Sequence, residues 1–187
     1  CRERLLRIFG DSRDPVVRQR AMLALHLSGC VDNDWLVAQL HHPDEHVRVW
    51  AVRFLTDTHA KDDTAGWSPI AKSFTAIAEK DSSGLVLLYL ASALQKMPAD
   101  LRWPLGQAIA ARREEAFATD RTLSIMLWLG IEPLVAARPV DSLQLLTLTT
   151  FPLLRENIAR RISSEIDRDM PTVEKRSTTN ENGRRSA

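Results

Sequence analysis

Three features of the 187-residue chain predict an all-α fold: an apolar stripe at helical spacing, a helix-pair motif that recurs along the chain, and few glycines. The motif is read from "DPVVRQRAMLAL" (14–25) and "DEHVRVWAVRFL" (44–55), an offset of 30, and from "SGLVLLYLASAL" (83–94), a further 39 along. In the three copies Val17, Ala21, Ala24 and Leu25 fall on Val47, Ala51, Phe54 and Leu55, and on Val86, Leu90, Ala93 and Leu94. Spacings of i, i+4, i+7 and i+8 place these side chains on one helix face, which a single helix cannot bury alone. The predicted class is a right-handed α-solenoid of about five helical pairs over residues 1–169.

Each second helix opens on a residue suited to capping. Asp14, Asp44 and Ser83 carry a side-chain oxygen that accepts from the otherwise unpaired amides of the first turn. Pro15 follows at the first helical position, where no amide hydrogen is needed, and Gly29 suits the left-handed residue that ends the first of these helices. Shorter helices are expected before each copy, over 2–9, 33–42 and 68–80, the last with Ser68 as cap and Pro69 at its first position. The polar segment 56–66 reads as an insertion between helices. Beyond residue 98 the repeat blurs, yet stripes over 105–118, 121–135, 140–150 and 152–166 predict further helices, with prolines 98, 104, 133, 139 and 152 at or near their joints. From Met170 the chain loses every apolar period, and 170–187 is expected to be a disordered polar tail.

Charge and composition narrow the function. Twenty-five basic side chains against 24 acidic ones leave a formal charge of +1, so no bulk attraction to nucleic acid or to a membrane surface is expected. No apolar run is long enough to span a bilayer. Cys1 and Cys30 make neither a disulfide framework nor a zinc site. No signal peptide is visible at Cys1, and the chain reads as a fragment; a lipid-modified Cys1 is the less favoured explanation of that start, since a helix follows at once. No phosphate-binding glycine loop, nucleophile elbow or zinc spacing occurs, so no catalytic residue, cofactor site or metal site is expected in this segment.

The stretch "HHPDEH" (41–46) admits a metal or haem site, or a turn between helices. The turn is the simpler reading. His41 and His42 close one helix, where positive charge is favoured, while Asp44 and Glu45 open the next, where negative charge is favoured. His46 lies beside the core stripe rather than on it. Arg20, Trp50 and Tyr89 share one position in successive copies, so large side chains form a row that serves either partner binding or packing between repeats. Glu132, set among apolar residues, is expected to make a helix-end hydrogen bond or a salt bridge, and "ARREEA" (111–116) to be a solvated helix face.

"DPVVRQRAMLALHLSG" and "DEHVRVWAVRFLTD" resemble the second helix of HEAT repeats, which commonly opens with Asp, then Val-Arg, then an Ala/Leu stripe. The third copy has Leu87 in place of the arginine, so a ladder of stacked Asp and Arg side chains, if formed as in that family, should weaken there. A narrower resemblance covers roughly residues 14–162. The order "ALHLSG", "HPDEHVRVWAVRFL", "LVLLYLASALQKMPADLRWPL" and "IMLWLGIEPLV" is similar to the HEAT-repeat region of large secreted planctomycete-type proteins described as membrane-bound dehydrogenases or haem-binding c-type cytochromes. That resemblance implies a β-propeller upstream, a CxxCH cytochrome domain downstream and a periplasmic or extracytoplasmic setting. No CxxCH occurs here and Leu129 stands where that pattern often shows Tyr, so haem c and any redox activity belong to the parent protein. The expected role of the segment is a non-catalytic scaffold whose partners are proteins or neighbouring domains. One HEAT-like group acts on DNA bases through Trp, Asp and Arg on its concave face, and the near-neutral charge argues against that role here.

Overall fold

The computed structural model describes residues 1–169, and among them every regular element is a helix. The expected tail, 170–187, lies outside the described residues. The first pair is α1 (Arg2–Asp11) and α2 (Pro15–Leu27); the second is α3 (Asn33–Gln39) and α4 (Glu45–Thr58). Then follow α5 (Thr64–Ala78), α6 (Gly84–Ala93), α7 (Ala99–Ala110), the single turn α8 (Glu115–Ala118) and α9 (Arg121–Val135). The last pair is α10 (Pro139–Leu148) and α11 (Pro152–Asp169). The helices α2, α4, α6, α9 and α11 each pack on the next, while α5 packs on α7 and α7 on α10. Phe9 of α1 meets Trp35 of α3 edge-on, with ring centroids 5.2 Å apart.

Local chemistry sets the ends of these helices. The carboxylates of Asp14 and Asp44 accept from the amides of Val16 and His46 at 2.8 and 3.0 Å, and the Ser83 hydroxyl accepts from Val86. After α2, Gly29 takes a φ of 64°. Its amide donates to the His26 carbonyl, and that of Cys30 to Leu25. This is the paired closure that a left-handed residue permits.

Several boundaries differ from the sequence expectation. Of the segment 56–66 only 59–63 links two helices, since α4 runs to Thr58 and Asp63 caps Gly66, so α5 starts at Thr64, and Ser68 and Pro69 lie inside it. Pro69, the sixth residue of the helix, forgoes the backbone bond to the Ala65 carbonyl and crowds it. The same holds for Pro104 inside α7, and Pro133 sits near the end of α9. Residues 105–118 are two helices rather than one, broken at 111–114. The third helix stops at Gln39, which leaves His41 and His42 in the turn.

The motif does not fade after residue 98. Asp120 caps Thr122 and Leu123 at 2.8 and 3.0 Å and opens a fourth copy in which Leu123, Leu127 and Ile131 are fully buried. "FPLLRENIARRI" (151–162) is a fifth, with Leu154 and Ile158 fully buried in the same register. Ser124 and Arg155 therefore fall on the arginine position of the motif, and Met126 and Asn157 on that of Trp50 and Tyr89. Divergent joints hid this register. Val17 is the exception to the stripe: it is 37 % exposed, where its four counterparts are fully buried.

A candidate interaction face

An arginine–carboxylate ladder fixes the helices that carry the candidate face. Arg18 of α2 donates to the Ser12 carbonyl of its own turn at 2.6 Å and to Asp44, the cap of the next copy, at 3.2 Å. Arg48 of α4 repeats the arrangement one copy on. It donates to the carbonyls of His42 and Pro43, and through Nε and Nη2 to both oxygens of Asp81 at 2.7 and 2.9 Å. Such a two-bond fork fixes orientation as well as separation.

At the third copy the weakening expected from Leu87 is offset from downstream. Leu87 is fully buried, and Arg112, from the break between α7 and α8, donates through Nη1 to the carbonyls of Ala78 and Asp81, both at 2.8 Å. The Asp81 carbonyl stands six residues before position 87, as Ser12 does before Arg18 and His42 before Arg48. Arg112 is buried and sits over the Phe117 ring at 5.0 Å. Of the 111–116 run, Arg113 to Ala116 are exposed, but 111–114 are not helical and the Arg112 guanidinium is buried, closing a turn elsewhere in the fold. Its partner Glu114 is held down to about 2 by the Arg112 hydrogen bond, then by its own backbone amide.

The row predicted from Arg20, Trp50 and Tyr89 lies along α2, α4 and α6. Arg20 is exposed, and Trp50 and Tyr89 are half-buried. Trp50 packs against Phe54 at 5.2 Å and carries the Arg53 guanidinium over its ring at 5.0 Å, while His26 stacks on Phe54 at 3.9 Å. Tyr89 is the common wall of two adjoining grooves. One, between α4 and α6, is lined by Arg53, Asp57, Ser92 and Lys96, with Lys96 Nζ 2.5 Å from Asp57. The other, between α6 and α9, is lined by Leu88, Ser92, Thr122 and Met126. Met126 extends the row by one copy and is the site residue that the sequence reading missed; the cap signal at Asp120 would have found it. Trp50 does not line either groove.

The histidines of "HHPDEH" do not gather. His41 and His46 are exposed, whereas His42 is half-buried beside Phe9, and its Nδ1 accepts the Asp44 amide at 3.0 Å. Burial pushes the His42 imidazole down, as do Arg18 and, more weakly, Arg48, against the opposing pull of Asp44. Glu45 accepts a short hydrogen bond from Ser83, joining the second copy to the third. Glu132 lies 3.4 Å from Arg161, an ion-pair contact. Among the described residues no three His, Cys, Asp or Glu side chains converge as metal ligands.

A further polar cluster went unnoticed in the sequence. His59 Nδ1 lies 2.9 Å from Asp63, and His59 Nε2 lies 2.9 Å from the Asn33 amide nitrogen. The tautomer with hydrogen on Nδ1 donates to Asp63 and accepts from Asn33, which ties the start of α3 to the α4–α5 turn. Among the described residues the hydrogen-bond partners of this imidazole are Asn33 and Asp63, which makes the cluster a link between two turns. Among the described residues no helix is long and apolar enough to cross a membrane. Comparison of the chain with protein-family models, with curated proteins and with solved structures finds no match.

Proposed function

We propose that the chain is a right-handed HEAT-like α-solenoid of five helical pairs, acting as a non-catalytic docking module within a larger exported redox protein. The observation that carries this reading is the directional ladder, in which an arginine of one copy grips the turn of its own pair and an acid of the next. Such a joint repeats a fixed geometry from pair to pair and presents one residue of each second helix along a common face. That face bears Arg20, Trp50, Tyr89 and Met126. Its partners are neighbouring domains of the same polypeptide, by resemblance a dehydrogenase-type propeller and a c-type cytochrome. By the same reading any haem belongs to the parent protein rather than to this segment, whose sequence contains no CxxCH attachment motif.

The test begins with the reading frame on either side of the segment. Each flanking domain is then expressed separately and titrated calorimetrically against the 187-residue chain. Saturable binding that weakens with Tyr89→Ala or Met126→Ala supports the docking role. Absence of binding to any flanking domain would refute it.

A further inference from the structure

We infer that the face carrying Tyr89 takes an extended peptide segment that pairs a carboxylate with a large apolar side chain about three positions away. The inference rests on the docking reading above and goes beyond it by giving the partner segment a chemistry.

Tyr89 and Ser92 line both grooves, so the two form one trough that crosses α6. Because α2 packs on α4 and α11 on α9, helices of the same chain flank this trough on both sides. Its halves differ in kind. Between α4 and α6 the notch, of about 290 Å³, is edged by Arg53, Asp57 and Lys96, with the hydroxyls of Tyr89 and Ser92 beside them as donors. Between α6 and α9 the notch, of about 310 Å³, is walled by Leu88, Met126 and Tyr89. Each stands at the lower edge of the roughly 300–1,000 Å³ of small-molecule sites and suits a single side chain.

Two cations share one carboxylate in the first notch. Lys96 Nζ lies 2.5 Å from Asp57, whereas Arg53 Nε lies 3.8 Å from it, beyond hydrogen-bond reach. The Arg53 guanidinium sits over the Trp50 ring, which steadies it and leaves the N–H groups at its edge for another acceptor. One positive charge thus remains uncompensated at the notch, and exposed Arg20 adds another along the row. A carboxylate answers that surplus. A nucleic-acid backbone, with one charge per ~1.7 Å, does not match a single surplus charge beside an apolar notch. Packed helices stand about 8–10 Å apart, which sets the separation of the two notches, and an extended chain covers about 3.1–3.4 Å per residue. The acid and the apolar residue therefore lie about three positions apart. Asp57 competes with the incoming carboxylate for Arg53 and Lys96. Its removal should strengthen binding, which a purely structural ion pair would not do.

The test titrates the full chain into fluorescein-labelled synthetic peptides on a Gly-Ser frame, read by fluorescence anisotropy at low ionic strength. One peptide carries Asp-Glu with Phe three positions on and a second has the reverse order, while controls replace Asp-Glu by Asn-Gln or Phe by Ser. One order should bind with a Kd below about 1 mM, and about fivefold or more tighter than either of its controls. Arg53→Gln, Lys96→Gln and Met126→Ala should each weaken it about threefold or more, and Asp57→Asn should tighten it about threefold. The side chains of Arg53, Asp57 and Lys96 are about half exposed, so their substitution should leave circular dichroism and melting unchanged. Binding of neither order, equal binding of the acidic and amide peptides, or an Asp57→Asn variant no tighter than wild type overturns the inference. Flanking domains that still bind through Tyr89 would then leave the docking reading standing, whereas loss of both would refute both.

Discussion

Arg112→Met tests whether the third turn depends on a side chain from outside its own copy. The substitution removes two charge-assisted bonds to the carbonyls of Ala78 and Asp81, each 2.8 Å long. A hydrogen bond to a charged group contributes about 1.5–3 kcal/mol, and an acceptor left buried without a partner costs a comparable amount. The stacking of the guanidinium over Phe117 adds roughly 0.5–1 kcal/mol. Glu114 is half exposed, so its ion pair with Arg112 contributes little in water. The two bonds and the stacking together put the loss at about 3.5–7 kcal/mol, a large share of the roughly 5–15 kcal/mol by which domains are ordinarily stable. Urea unfolding followed by far-UV circular dichroism measures it as a fall in the midpoint at an unchanged slope. Arg113→Ala, one residue on and exposed, is the control and should stay within about 0.5 kcal/mol. An Arg112→Met variant within about 1 kcal/mol of wild type would refute the substitution of Arg112 for an arginine at position 87, because so small a change leaves no room for a buried and a part-buried carbonyl losing their donor.

Further expectations follow from the same geometry. Asp44→Ala removes both a cap and the acceptor of Arg18 and should cost on the order of 1–2 kcal/mol in the same assay, whereas exposed His46→Ala should stay within about 0.5 kcal/mol. Added Zn²⁺ or haemin should leave the melting temperatures of both His46→Ala and the parent unchanged, since a ligand held by the folded state would raise the parent's alone. Gly130→Ala should destabilise by about 1–3 kcal/mol despite the better helix propensity of alanine, because the added methyl would strike the Cβ and Cδ1 of Leu94 where α6 crosses α9; a melting temperature at or above wild type would contradict that crossing. The depressed pKa of His42 means that the unfolded chain takes up its proton first on acidification. Stability from this site is complete above about pH 6.5 and declines below it, and His42→Gln should flatten that part of the pH–stability curve. The Glu114 contribution has a lower window: it persists above about pH 4.3 and is lost as pH falls toward about 2, so Glu114→Gln should act only on the acid limb.

The helical class, the caps at Asp14, Asp44 and Ser83 and the glycine closure at Gly29 were legible because each depends on residues within one turn of one another. The stripe was legible for the same reason, apart from Val17, which is exposed where the later copies bury the same position. The register of α9 and α11 was harder to see. It is separated from the earlier copies by helices of unequal length, and its arginine position holds Ser124 in one copy. The polar contacts across long separations were not legible at all. Nothing in "ARREEA" signals that Arg112 turns back more than thirty positions to Ala78, and nothing local joins Asn33 to His59. For the candidate face, periodicity assigned Arg20, Trp50 and Tyr89 one repeat position, but the packing of Trp50 against Phe54 and the place of Tyr89 between two grooves are set by neighbouring helices.

The rung supplied by Arg112 also bears on how the molecule comes apart. In a row whose joints all point forward, loss of the last pair would expose one interface and fraying could advance copy by copy. Here the α7–α8 break is tied back to the α5–α6 turn, so the fourth copy cannot detach without stripping the third of the donor for its turn carbonyls. Fraying from the carboxyl-terminal end should therefore pause before α9 and then take α5 to α9 in one step. Amide hydrogen exchange would report this as a shared opening free energy for the third and fourth copies, distinct from that of the first two.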